Sequence, residues 1–146
     1  MRPAYTLDEL LPHAEPMILL DDVISSGNDT LCAGVRITEA SLFYEPNRGV
    51  PTYVGIEYIA QAVAALGGLR ARTRGGEVGI GYLLGARRYM AHAAYFPLGS
   101  LLAISVSSEF ETDDLAAYQG DIRDSDGRRL VDATINIYSG KIETDP

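Results

Sequence analysis

The spacing of hydrophobic positions along this chain changes period twice. Residues 17–24 read Met-Ile-Leu-Leu-Asp-Asp-Val-Ile, too short an apolar run for a helix. Ser25, Ser26, Gly27, Asn28 and Asp29 close it with turn formers, so the run predicts a strand followed by a turn. Leu31, Ala33, Val35 and Ile37 then alternate with Cys32, Gly34 and Arg36, the two-residue period of a strand with unlike faces. These two strands are expected to form a hairpin. Pro46, Asn47, Gly49 and Pro51 break any period across 41–52 and predict an irregular loop. From Tyr53 to about Arg72 there is no proline, and Ile56, Ile59, Ala60, Val63, Ala64 and Leu66 surround the axis. Such spacing predicts a helix buried nearly all round, ended by Arg74-Gly75-Gly76. Residues 78–92, 100–110, 115–124 and 129–139 return to strand character, with Asp126-Gly127 marking a hairpin turn before the last.

Two strands, one long apolar helix and four more strands define an α+β fold. An antiparallel sheet of about six strands curled around the helix accounts for that order, because so apolar a helix cannot lie on a wet surface. An open sheet with the helix on one side is the other arrangement. Ala60, Ala62, Ala64, Ala65, Gly67 and Gly68 are small enough to let sheet backbone approach. At 146 residues, 47% hydrophobic and without repeats, the chain reads as a single domain over 1–146 that needs neither disulfides nor metal.

Charge and cysteine usage narrow the functional classes. The net charge of −8 opposes nucleic-acid binding, which requires an excess of cations. Cys32 is a lone cysteine, so neither a disulfide framework nor a zinc site is expected. No apolar run approaches the roughly 18 residues of a membrane span, and residues 1–10 lack the apolar centre of a signal peptide. The expected location is the cytoplasm. Positive charge gathers at Arg70, Arg72, Arg74, Arg87 and Arg88, interrupted only by Glu77. That island suits either helix capping and solvation or an anionic partner.

Glu57 is the leading chemical candidate, a carboxylate in the first turns of a helix otherwise stripped of charge. It fits a general acid or base, and equally an acid favoured there by the helix dipole. Gln61 follows one turn later on the same face. His13 and His92 lack a neighbouring acid cluster, so no metal site is expected, and His92 reads as an exposed or capping residue. Gly76-Glu77-Val78-Gly79-Ile80-Gly81 leads into a strand pattern rather than a helix, which excludes a dinucleotide loop.

The run Glu57-Tyr58-Ile59-Ala60-Gln61 resembles the E-x-x-A-Q opening of the central helix in hot-dog-fold 3-hydroxyacyl-carrier-protein dehydratases. Leu11-Pro12-His13-Ala14-Glu15-Pro16-Met17 through Asp21 resembles their L-P-H-x-x-P-x-L-L-x-D strand. Tyr82 to Met90 is similar to their Y-x-x-x-G strand, and Phe96-Pro97-Leu98-Gly99-Ser100-Leu101 to their V-x-P-G-D-x-L turn, with the proline displaced and Ser100 in place of Asp. The likeness spans roughly Leu11 to Val106 and points to the dehydratase-like branch of aryl-polyene pigment clusters. It implies a hot-dog fold, dimerisation, an acyl thioester delivered by acyl carrier protein or coenzyme A, and no cofactor. It implies Glu57 as the acid, with Gln61 and the Val54 and Gly55 amides beside the thioester carbonyl. Tyr44 and Asn47 would contact substrate, and Arg70, Arg87 and Arg88 the carrier or its phosphopantetheine. The family's second catalytic group is a His from a G-H-F-P loop of the other subunit, whereas this chain reads Tyr44-Glu45-Pro46-Asn47-Arg48-Gly49-Val50-Pro51 there. Three readings follow: a dehydratase, the silent or half-active partner in a heterodimer whose related subunit supplies the missing base, and a hot-dog thioesterase; the dimer itself is expected to be either a homodimer or a heterodimer with a related hot-dog subunit.

Overall fold

The structure, a computed structural model, describes residues 5–11, 18–73, 82–112 and 114–138. The strands are β1 (Asp22–Ser26), β2 (Thr30–Arg36), β3 (Val50–Pro51), β4 (Tyr82–Ala91), β5 (Tyr95–Phe96), β6 (Leu101–Glu111), β7 (Leu115–Arg123) and β8 (Arg129–Tyr138). A short helix α1 (Leu7–Leu10) precedes them, and the central helix α2 (Gly55–Thr73) follows a 3₁₀ turn at Thr52–Val54. Six strands form one sheet in the order β1-β2-β6-β7-β8-β4, with antiparallel neighbours throughout, while β3 and β5 pair separately. The expected hot-dog arrangement is what the chain adopts. The β1–β2 hairpin and the helix that interrupts the strands stand where the periodicity put them.

Alternation sets the inner face of the sheet. Ala33, Val35, Ile104, Ile122, Val131, Ala133 and Ile135 are all buried, and they meet Tyr58, Ile59, Ala62, Val63, Ala65 and Leu66 of α2. Burying one such side chain stabilises by about 1.5–3 kcal/mol, so this one layer dominates the favourable side of folding.

Three expectations need correction. The first strand starts at Asp22, because the Leu19 N–H donates to the Gln61 side chain (2.8 Å) and pairing with β2 begins only where Asp21 N–H reaches the Gly34 carbonyl (2.8 Å). Ile18 and Leu20 still pack into the core. The helix is not buried all round: Glu57, Ala60, Ala64 and Gly67 form a more open stripe, because the sheet and the leading segment cover its other sides. The loop over 41–52 also contains regular structure, the two-residue strand β3. Residues 12–17 and 74–81, which carry His13, Arg74 and most of the L-P-H motif, lie outside the described residues.

Two adjacent glycines of α2 have opposite roles. A Cβ on Gly68 would run into the Leu10 carbonyl of α1, whereas one on Gly67 would meet nothing within 4 Å. Gly68→Ala is therefore expected to destabilise by about 2 kcal/mol or more and Gly67→Ala to stabilise by about 0.5–1 kcal/mol. Urea denaturation midpoints that move in the same direction for both would contradict this packing.

Candidate functional site

Glu57 lies in the first turn of α2 and is partly buried. Gln61 is completely buried, and its amide spans two segments: Oε1 accepts from Leu19 N–H at 2.8 Å, and Nε2 donates to Glu57 Oε1 at 3.2 Å. Because a backbone N–H can only donate, the Leu19 bond fixes which end of the amide faces Glu57. The helix spacing predicted the Glu57–Gln61 pair. Its third member, Leu19, arrives from the segment that leads into β1.

The start of α2 is held from the sheet side. Tyr89 of β4 donates its hydroxyl to the Thr52 carbonyl and stands over the Ile56 amide. Burial first, then Tyr58, pushes the Tyr89 phenol above its ordinary range, and the Ile56 amide partly offsets this. A Cβ on Gly55 would lie 2.6 Å from the Tyr89 oxygen and 2.8 Å from Ile122 Cδ1, so only glycine fits there. Thr52 Oγ1 adds bonds to the Ala93 (2.8 Å) and Ala94 (3.2 Å) carbonyls. Of the two amides expected to face a thioester carbonyl, that of Gly55 donates within the turn to the Thr52 and Tyr53 carbonyls. Tyr89 escaped sequence reasoning because nothing in a strand pattern names a partner 37 residues away.

The loop before α2 is tied to itself. Glu45 and Gly49 exchange backbone bonds (2.8 and 3.0 Å). Arg48 Nη1 donates to the Tyr95 hydroxyl (3.2 Å), which donates to Glu45 Oε1 (3.3 Å). Tyr44 packs partly buried against the core, while Asn47 is exposed with φ of 65°. The loop's polar side chains thus face one another, and Tyr44 and Asn47 are not brought together.

The arginine island also divides. Arg70 is clamped between the hairpin turns, on Asp29 (2.5 Å) and Glu111, and Glu111 also accepts from Tyr118 (3.0 Å). Burial alone would raise the Glu111 carboxyl, but Arg70 and Tyr118 hold it below the usual range. Arg70 is therefore a structural cation rather than a free one. Arg88 reaches Asp132 Oδ1 (3.2 Å), and Arg87 is exposed on the β4 edge.

His92 lies 3.0 Å from Asp132 Oδ2 and so has an acid partner that the sequence did not show. Asp132 alternates with the buried Val131 and Ala133, which places it on the sheet face turned away from α2 and Glu57. Asp121 stands directly opposite it on β7. Like charges across a strand pair repel, and Arg88 and His92 around one carboxylate, with Arg123 and Arg129 near the other, offset that. The His92 hydrogen bond, followed by the Arg88 charge, holds the Asp132 carboxyl below its ordinary value despite desolvation. Among the described residues no group of His, Cys, Asp and Glu could hold a metal, and no helix is long and apolar enough to cross a membrane.

A family model described as ApeP-like, ApeP dehydratase, matches residues 5–145. No curated protein sequence matches the chain. Among solved structures, the dehydratase heterocomplex ApeI:P from Xenorhabdus doucetiae is 25% identical, with a TM-score of 0.85 over 94% of this chain and 92% of that one. A thioesterase from Haemophilus influenzae is 12% identical, with a TM-score of 0.70 over 94% and 92% of the two chains. A hypothetical thioesterase from Streptococcus pneumoniae, solved with coenzyme A, is 11% identical, with a TM-score of 0.67 over 84% and 88%. At these identities the two thioesterases share the fold alone.

Removing the Tyr89 hydroxyl takes away one of the two donors to the Thr52 carbonyl, the Gly55 amide being the other, so Tyr89→Phe should lower stability by about 1 kcal/mol in urea titration. Asp132→Asn tests the outer cluster by pH. A carboxyl depressed in the folded state contributes stability above its unfolded value near 3.8 and loses it as pH falls through the folded value. The variant should melt about 2 °C lower at pH 7, with the deficit shrinking below pH 3.8. A deficit constant down to the folded value would dismiss the ion pair.

Proposed function

The chain belongs to the ApeP-like dehydratase family, and from that premise we propose that it is the acid-bearing, base-lacking subunit of a heterodimeric dehydratase acting on 3-hydroxyacyl thioesters. The observation that carries this reading is a division between two groups. Glu57 is held at the head of the open stripe of α2 by Gln61, while His92, the imidazole among the described residues, is joined to Asp132 on the far face of the sheet. Among the described residues no imidazole shares the helix side of the sheet with Glu57, and an acid alone performs half of a dehydration.

In the complete reaction a base on the related subunit removes the α-proton, and the electrons of that C–H bond form the new double bond. The bond from C3 to oxygen breaks, and Glu57 in its carboxylic acid form gives its proton to the departing hydroxyl, which leaves as water. The base then holds the α-proton while Glu57 is left ionised, and passing one proton from the base to Glu57 through water returns both groups to their starting forms. Gln61 Nε2 donates to Oε1 of Glu57 and so orients its carboxyl group. The Val54 amide and the dipole of α2 favour charge developing on the thioester carbonyl. Arg87 and Arg88, exposed on β4, would meet the phosphate of a phosphopantetheine arm or the acidic surface of its carrier protein. The heterodimer is favoured by the structural likeness to a dehydratase heterocomplex.

Dehydration of a 3-hydroxyacyl thioester should be undetectable with the purified chain alone and appear when a related hot-dog chain is co-purified with it. Glu57→Gln in that complex should lower kcat by about a hundredfold or more, the range of general acid catalysis. Full turnover by the chain alone would overturn the division of labour, and a Glu57→Gln complex as active as the parent would make this subunit silent.

A further inference from the structure

Most tyrosine hydroxyls near the ends of α2 are committed to protein partners. The phenols of Tyr89, Tyr95 and Tyr118 donate to the Thr52 carbonyl, to Glu45 and to Glu111. Tyr53 differs. It stands 65% exposed between the buried Thr52 and Val54, and among the described residues its hydroxyl has no hydrogen-bond partner. Its backbone, by contrast, is fixed: the Tyr53 carbonyl accepts from the Gly55 N–H, and Thr52 is held by Tyr89 and by the Ala93 and Ala94 carbonyls. Gly55, at φ of −57° and ψ of −25°, keeps the chain helical from the 3₁₀ turn into α2. Tyr53 therefore lies one turn before Glu57, at the head of the same open stripe. We propose that the Tyr53 hydroxyl donates a hydrogen bond to the thioester carbonyl oxygen of the substrate on which Glu57 acts.

The argument starts from what the carbonyl requires. Its oxygen accepts two hydrogen bonds, and of the two amides expected to face it, the Gly55 N–H is spent inside the turn. Val54 can offer one donor from the backbone, which leaves the second position to a side chain. Tyr53 adjoins Val54 and carries an exposed hydroxyl, whereas Ala60, Ala64 and Gly67, which continue the stripe beyond Glu57, carry no polar side chain. As the base removes the α-proton, electron density moves onto the carbonyl oxygen, and a donor on a fixed backbone gains strength as that charge grows. No proton changes hands at Tyr53, and Glu57 remains the acid.

This assignment rests on the dehydratase reading, and Glu57→Gln measured alongside it tells the two apart. In the complex with a related hot-dog chain, Tyr53→Phe should lower kcat for 3-hydroxyoctanoyl-CoA about tenfold or more while KM stays within about twofold, because the lost bond matters most once charge has developed. Melting should move by no more than about 2 °C, since the side chain is exposed and its hydroxyl holds nothing in place. A second readout needs no turnover. In the Glu57→Gln complex, the carbonyl stretch of bound trans-2-octenoyl-CoA should lie at lower frequency with Tyr53 present than with Tyr53→Phe added, because accepting a hydrogen bond weakens the C=O bond. Unchanged kcat in Tyr53→Phe, a rise in KM alone, or equal carbonyl frequencies overturns the assignment and leaves Glu57 as the acid. Turnover indifferent to both Glu57→Gln and Tyr53→Phe removes both. If no related chain gives turnover, the dehydratase reading falls and the carbonyl frequency alone decides Tyr53.

Discussion

A single buried amide sets the relation between the leading segment, the central helix and Glu57. Gln61 has no access to water, so both ends of its side chain must be satisfied by protein, and unpaired buried polar groups cost about 1–3 kcal/mol each. Leu19 satisfies the oxygen and Glu57 accepts from the nitrogen. From that pairing follow the late start of β1, the placement of Ile18 and Leu20 in the core and the position of the carboxylate at the head of the open stripe.

The same economy of buried polar groups governs the opposite flank of the helix. Its start is a 3₁₀ turn pinned by Thr52 and Tyr89 to β4 and the turn after it, with glycine at the one position where a side chain would meet the phenol. The preceding loop is braced by Glu45, Arg48 and Tyr95, so two residues in left-handed conformations, Phe43 and Asn47, sit on a frame able to hold them. A rigid loop and a pinned helix start are the conditions under which a carboxylate keeps a defined direction.

Charge is arranged by face rather than by sequence neighbourhood. Arg70 and Arg88 look alike in a linear reading of the arginine island, yet one joins two hairpin turns through Asp29 and Glu111 while the other offsets the repulsion of Asp121 and Asp132. Tyr118, whose phenol is pushed up to about 12 by burial and by Glu111, belongs to the first group and ties it to β7. The two clusters stabilise different regions of the sheet, and Arg87 remains exposed between them in sequence.

The order of elements, the hairpins, the buried helix and the pairing of Glu57 with Gln61 were contained in the sequence, because each rests on contacts between residues a few positions apart. The resemblance of the Glu57-to-Gln61 run likewise pointed to the family without any coordinates. Tertiary structure alone decided that Leu19 leaves the sheet for Gln61, that Tyr89 covers the helix start and that His92 answers to Asp132. These contacts join residues separated by 42, 37 and 40 positions, and no local periodicity encodes them. The open stripe on α2 was hidden for the same reason, since composition reports how apolar a helix is but not how far a curled sheet reaches around it.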